Sequence, residues 1–186
     1  LDERLIQNLF LQGAQIDMFG VGERMITAKS EPVFGGVYKL TAVENDKGEI
    51  IPKIKCSENV EKITIPHFKK VYRLYNRDNG KAIADYMTVH DEVVDENEPL
   101  MLFDPYATWK TKNVCNFEAR ELLVPVFLNG KKVYQSPTLK DIQAYCKQQV
   151  NTLWDEIKRF DNPQTYYVDL SQKLWDIQQE LLRKNR

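Results

Sequence analysis

A pair of glycines directly after a short alternating run is the feature that most constrains this chain. Residues 15–19 alternate polar and apolar side chains, which predicts a strand. Gly20 and Gly22 follow at once, and Glu23 and Arg24 begin the next segment. Glycines spaced by one residue let the backbone turn tightly with exposed amides, which suit an anion such as phosphate. By itself the pair favours an ordinary tight turn, because most such pairs are turns.

The segment before the glycines predicts a helix. Asp2 and Glu3 place acidic groups in its first turn, where the helix dipole favours them, and Gly13 is a good stop residue. Its apolar residues fall on one face and predict a buried stripe: Leu5, Ile6, Leu9 and Phe10. Helix and strand together make one αβ step, which cannot close a barrel alone.

After Pro32 the pattern changes to strands, the one candidate domain boundary in the composition. Turn residues divide this region into three predicted hairpins: 36–44 with 50–56, 69–75 with 81–89, and 121–128 with 132–134. A further strand is predicted at 100–104, whereas 107–116 is polar and predicts irregular structure. We therefore expect an antiparallel meander of at least four strands.

The chain ends in a helical pattern. Thr138 is the predicted N-cap of the first of these helices, with Asp141 three residues later, and an apolar stripe continues to Phe160. Asn162 and Pro163 break this helix. An extended segment at 166–169 and a last helix from about Ser171 complete the prediction.

Composition excludes several functional classes. The net charge of −1 gives no electrostatic basis for binding nucleic acid or a membrane surface, and no apolar run approaches the ~20 residues that span a bilayer. The cysteines Cys56, Cys115 and Cys146 fit no zinc spacing, so we expect reduced structural thiols in a cytoplasmic protein. We also predict no metal site, and structural or surface roles for His67 and His90.

Longer stretches carry a family resemblance. The stretches FGVGERMITAKSEPVFGGVYKLTAVE, KIKCSENVEKITIPHFKKVYRL, ELLVPVFLNGKKVY and NPQTYYVDLSQKLWDIQQELL resemble, in order, the C-terminal portion of nicotinate phosphoribosyltransferases. The resemblance implies an α/β fold, α+β when taken as a fragment. The last αβ step of a TIM-like barrel, with its phosphate loop, would occupy residues 1–32. The β-rich region would occupy 33–135 and the C-terminal helices 136–186.

The resemblance also implies a site. The backbone amides of Gly22 and Glu23 would bind the 5-phosphate of a phosphoribosyl group, Gly20 would permit the close approach, and Arg24 is a candidate supporting cation. The family commonly has Thr where Glu23 stands, and a carboxylate there would repel phosphate. No catalytic residue is assigned within this chain, because the family's catalytic histidine and ring-binding residues lie upstream of the matching part.

A second departure lies near His67, where the family often has glycine before a lysine. We expect that His67 excludes a turn that strictly needs positive φ. Lys70 and Arg73 lie three apart in a predicted strand, so their side chains should point to opposite faces. We interpret both as mainly structural or surface residues.

The function implied by the resemblance is the joining of nicotinate to 5-phosphoribosyl pyrophosphate, giving nicotinate mononucleotide and pyrophosphate in NAD salvage. It also implies coupled ATP hydrolysis, Mg²⁺ and a homodimer for the full enzyme. Two alternatives stay open: a sister enzyme that uses nicotinamide or quinolinate, and a catalytically inactive structural or subunit-interface module. In either case we expect the chain alone to be inactive.

Overall fold

The computed structural model describes residues 1–33 and 35–185, and the chain divides into two units, Leu1–Tyr38 and Lys39–Arg186. The first unit contains the helices α1 (Glu3–Leu11) and α2 (Glu23–Ile26). α1 begins where predicted, since the Asp2 carboxylate accepts a 2.9 Å hydrogen bond from the Leu5 amide. It ends before Gly13, which has a φ of +81° that glycine adopts without strain.

Two predictions for the first unit are wrong. Residues 15–19 form no strand, because a strand needs a pairing partner and the described residues of this unit include no other strand. The expected buried stripe of α1 is not buried either: Leu5 and Phe10 are exposed, and Ile6 and Leu9 are only half-buried. The ring of Phe10 instead lies edge-on to that of Phe19, with centroids 5.5 Å apart.

The second unit is built on a four-stranded sheet. The strands and helices of this unit are β1 (Ala42–Glu44), β2 (Ile50–Pro52), β3 (Lys69–Asn76), β4 (Ala82–Val89), β5 (Leu100–Phe103), β6 (Thr111–Val114), β7 (Phe117–Glu121), β8 (Phe127–Leu128), β9 (Lys131–Lys132), α3 (Leu139–Thr152), β10 (Val168–Leu170) and α4 (Gln172–Lys184), with a 3₁₀ turn at Val60–Lys62. The three predicted hairpins are confirmed as the pairs β1–β2, β3–β4 and β8–β9, most of them shorter than expected.

The predicted meander is wrong in its connectivity. The sheet has the order β10-β4-β3-β7, and β10 runs parallel to β4, so strands from distant parts of the chain flank the central hairpin. The first hairpin pairs only with itself among the described strands. β4 and β3 are the central strands and β10 and β7 the edges, and both Leu74 of β3 and Leu170 of β10 are fully buried.

Two other differences between prediction and structure concern strand β6 and the end of helix α3. The segment 107–116 contains strand β6, which the sequence pattern missed because Thr111, Lys112 and Asn113 are all exposed and only Val114 is buried. α3 ends at Thr152 rather than near residue 160, since Leu153 is extended. The predicted N-cap Thr138 is confirmed and forms a capping box with Asp141, and α4 begins directly after Ser171, close to where the last helix was expected to begin.

The hydrophobic core lies between the sheet and the β5–β6 pair. Its buried residues come from five strands: Leu74, Ala84, Tyr86, Leu102, Val114 and Phe117. A second cluster of Val89, Leu170 and Leu174 packs α4 onto β4 and β10. The side chains of β4 alternate between buried and half-buried along most of the strand, so one face of the strand supports the core.

Candidate functional site

The predicted phosphate loop is open to solvent. Gly20, Gly22, Glu23 and Arg24 are all exposed, and a Cβ built on either glycine would meet no atom within 4 Å. Gly22 is the N-cap of α2, and its carbonyl accepts hydrogen bonds from the amides of Met25 (3.0 Å) and Ile26 (3.1 Å). The first amides of a helix have no intrahelical acceptor, and no hydrogen bond from the Glu23 or Arg24 amide occurs among the described residues.

The two charged side chains of this loop have different surroundings. Arg24 Nη1 lies 3.2 Å from Asp2 Oδ2, so its charge is partly balanced by the cap of α1. The hydrogen bond from the Leu5 amide lowers the pKa of Asp2, and Arg24 lowers it further, which keeps the carboxylate ionised. The Glu23 side chain is exposed, while its carbonyl accepts from the amide and the hydroxyl of Thr27.

The prediction for His67 is wrong. His67 has a φ of +79°, in the left-handed region that the sequence argument excluded for this residue. Surrounding contacts hold the conformation: the His67 amide donates to the Thr41 carbonyl at 2.7 Å, and the Lys69 ammonium donates to the Ile65 and His67 carbonyls, both at 2.8 Å. Burial lowers the pKa of Lys69. The backbone here makes the turn that glycine would make, and the histidine tolerates it.

The two histidines lie together in the structure. The rings of His67 and His90 are stacked with centroids 5.9 Å apart, and Phe68 lies 5.0 Å from His90. The Nδ1 atom of His90 is buried and has no hydrogen-bond partner among the described residues. No group of three histidine, cysteine, aspartate or glutamate residues that could hold a metal ion occurs in the described part of the chain.

Arg73 has a structural role, as expected. Its guanidinium makes a two-pronged contact with Asp85, with Nε–Oδ1 at 2.8 Å and Nη2–Oδ2 at 3.0 Å, across the β3–β4 pair. The Tyr166 hydroxyl donates to the same Asp85 Oδ1 at 2.9 Å. Burial, followed by the Asp85 charge, raises the pKa of Tyr166, so the phenol stays protonated and can donate. This network fastens the segment before β10 to the sheet.

Two neighbouring cavities open beside this network. The larger, about 550 Å³, lies among β6 and the segments 154–157 and 164–167, and the smaller, about 230 Å³, lies among β4, β5, β6 and β10. They share Ile83, Lys112 and Tyr167. Asp169 lines the smaller cavity and Tyr166 the larger one. No role was predicted for Asp169 from the sequence, although a charged residue between Val168 and Leu170 in an extended segment is a signal of a special environment.

The structure also bears on the expectations for the cysteines and for a membrane-spanning helix. All three cysteines are free and exposed, so they are unpaired, as expected, but have no buried structural role. In the part of the chain that the structure describes, every helix is too short or too polar to cross a membrane.

Comparisons with known proteins agree on one family. Residues 68–178 match the family model described as nicotinate phosphoribosyltransferase C-terminal domain. The nicotinate phosphoribosyltransferase of Bacillus subtilis (strain 168) is 45% identical over 175 residues, which are 94% of this chain and 36% of that protein. The one from Caenorhabditis elegans is 33% identical over an alignment of 187 positions, which covers 100% of this chain and 32% of that protein. The chain thus spans about a third of the length of these relatives.

A solved structure is similar in fold. The crystal structure of human nicotinic acid phosphoribosyltransferase superposes with a TM-score of 0.58 at 23% sequence identity, over 64% of this chain and 24% of that one. The mixed α/β architecture with several sheets therefore has a counterpart among known structures.

Proposed function

Because this chain belongs to the nicotinate phosphoribosyltransferase C-terminal domain family, we propose that it is the C-terminal part of an enzyme that joins nicotinate to 5-phosphoribosyl pyrophosphate. The products are nicotinate mononucleotide and pyrophosphate, in NAD salvage, with coupled hydrolysis of ATP. The observation that carries the proposal is the family match over residues 68–178. The names of relatives that match 94% or more of the chain support it.

The chain's own contribution is the loop from Gly20 to Arg24. The amides of Gly22 and Glu23 bind the 5-phosphate, and Gly20 lets the phosphate approach the backbone. The open space around both glycines supports this role, since nothing in the loop blocks an incoming anion. The Glu23 carboxylate points to solvent, and Arg24 shares its charge with Asp2, so neither side chain is the main phosphate ligand.

In this arrangement the loop holds the substrate by its 5-phosphate, and groups outside this chain contact the reacting atoms. Transfer proceeds through an oxocarbenium-like ribose that the pyridine nitrogen attacks, and the departing pyrophosphate is stabilised electrostatically. Mg²⁺ supplies part of that stabilisation in such chemistry. The described residues offer no fitting set of metal ligands, so no step of the reaction is assigned to a metal bound by them.

The finer architecture belongs to the same proposal. Residues 1–32 contribute the last helix and the phosphate loop of a TIM-like barrel, and the full enzyme is a cytoplasmic homodimer. One observation favours a second role, as a structural or subunit-interface module. α3 has no buried residue, and many apolar side chains before and within it are exposed: Leu123, Val124, Phe127, Leu128, Leu139, Ile142 and Tyr145.

A steady-state assay tests the proposed reaction. The protein that contains this chain, at the length of its relatives, is supplied with 5-phosphoribosyl pyrophosphate and ATP plus nicotinate, nicotinamide or quinolinate. We expect mononucleotide formation with nicotinate. Product formation with nicotinamide or quinolinate, and none with nicotinate, would instead identify the protein as a sister enzyme. The 186-residue chain in the same assay should form no product. Product formation by this chain would contradict the proposal that it binds the phosphate while the reacting groups lie elsewhere in the enzyme.

A further inference from the structure

The smaller cavity combines apolar walls with a buried acidic group. Its volume is about 230 Å³, and it lies between the four-stranded sheet and the β5–β6 pair. Side chains of Ile83, Ala84, Leu102, Phe103 and Tyr167 form the apolar part of the lining. Asp104, Asp169, Lys110, Thr111 and Lys112 form the polar part. The lining is thus half apolar and half polar, and sites for small organic ligands likewise combine apolar walls with polar groups that fix the ligand's orientation.

Asp169 is the unusual member of this lining. It is only 5% exposed, and its Oδ1 atom is buried without a hydrogen-bond partner among the described residues. Burial raises its pKa to about 6, and the nearby Asp104 carboxylate contributes to the rise. At neutral pH this leaves a buried, ionised carboxylate, which is costly unless a cation or a donor reaches it.

The charged groups around Asp169 do not neutralise it. Lys110 and Lys112 line the cavity but are exposed, and neither forms an ion pair with Asp169 in the described structure. Asp104 adds a second negative charge, and its Oδ1 accepts hydrogen bonds from the amides of Tyr106 and Ala107. Of the two aspartates and two lysines that line the cavity, Asp169 is the buried one, so a positive group would be needed at its end of the cavity.

The chemistry of the lining distinguishes among cations. A metal ion needs several oxygen ligands, and no suitable group of three occurs in the described residues. The apolar walls of Leu102 and Phe103 would offer nothing to a hydrated metal ion, but they suit a hydrocarbon body. An ammonium group satisfies a carboxylate by a charge-assisted hydrogen bond.

We propose that this cavity binds a small organic ammonium ion, with the ammonium on Asp169 and a short apolar body against Leu102 and Phe103. The inference does not depend on the phosphate loop. A longer ligand would extend past Ile83 and Tyr167, which the cavity shares with its larger neighbour.

The probe is n-butylammonium, titrated by calorimetry into the 186-residue chain at pH 7.5, with 1-butanol as the neutral control of similar size. We expect saturable binding of the ammonium and at least tenfold weaker binding of the alcohol. Asp169→Asn should weaken ammonium binding at least tenfold, and binding should also weaken as the pH falls below about 6. Glu58→Gln, which removes an exposed carboxylate outside the cavity lining, should leave binding unchanged.

A second measurement does not depend on the variant's folding. Amide chemical-shift changes in the wild-type chain should concentrate in residues 102–112 and 167–170 when n-butylammonium is added. The proposal is overturned by any of three results: no saturable binding, equal binding of the alcohol, or shift changes that avoid these residues. Ammonium binding that survives in a folded Asp169→Asn variant would also overturn it.

Discussion

Replacing Asp169 by asparagine should stabilise the second unit, and the gain should depend on pH. In the folded protein the pKa of Asp169 is raised from 3.8 to about 6, first by burial and then by Asp104. Below about pH 4 the group is protonated in both the folded and the unfolded states. Between about pH 4 and 6 only the unfolded state ionises, so wild-type stability falls as the pH rises. Above about pH 6 the full penalty is present, and asparagine does not incur it.

The size of the effect follows from the pKa difference. Each pKa unit corresponds to about 1.36 kcal/mol. A rise from 3.8 to about 6 therefore gives a penalty of about 3 kcal/mol. A buried asparagine amide adds its own cost, but that cost is the same at every pH. The pH-dependent part of the difference isolates the carboxylate.

Urea denaturation followed by tryptophan fluorescence measures this difference. All three tryptophans lie in the second unit, and the indoles of Trp154 and Trp175 donate to the carbonyls of Ala82 and Pro105. The free energy of unfolding of Asp169→Asn minus wild type should rise by about 1–3 kcal/mol between pH 4 and pH 7.5. Glu58→Gln should show no such rise. A difference that stays constant over this range would refute the reasoning.

Three further predictions concern the turn at His67 and the phosphate loop at Glu23. His67→Gly should be more stable to urea than His67→Ala by about 1 kcal/mol, because alanine is strained in the left-handed conformation at this position and glycine is not. Equal stability of the two variants would contradict the presence of strain. Lys69→Met should lower the free energy of unfolding by about 1–3 kcal/mol, because it removes the donor to three backbone carbonyls, and a neutral effect would contradict that role. Glu23→Thr should leave use of 5-phosphoribosyl pyrophosphate unchanged or improve it; loss of activity in a folded variant would give the carboxylate a role.

Local signals in the sequence predicted local structure well. The predicted N-cap at Thr138 is confirmed because a cap depends on a few neighbouring residues. The hairpin at Asn129 and Gly130 is confirmed for the same reason, since both adopt the positive φ that this turn requires.

Structure that depends on distant residues was not predictable. β10 joins β4 in parallel, a pairing that Val168 and its neighbours do not encode by themselves. The strand expected at 15–19 lacks a partner, and alternation alone does not form a strand.

Of the candidate sites, the glycine loop was visible as a motif, whereas the cavity at Asp169 was not. Its lining comes from three separate segments, at Ile83, Leu102 and Asp169, and the last of these lies 67 residues after Leu102. His67 shows a further limit: the contacts of Lys69 and Thr41 impose a backbone conformation that its side chain disfavours.

The most direct test of the central claim is the dependence of rate on 5-phosphoribosyl pyrophosphate in a Gly22→Val variant of the enzyme that contains this chain. Gly36→Val is the matched control, because at neither position does an atom of the described residues lie within 4 Å of the added Cβ. Loss of one charge-assisted hydrogen bond is worth about 1.5–3 kcal/mol, so kcat/KM for 5-phosphoribosyl pyrophosphate should fall about tenfold to hundredfold in Gly22→Val and remain unchanged in Gly36→Val. An unchanged kcat/KM in Gly22→Val would contradict the assignment of the phosphate to this loop.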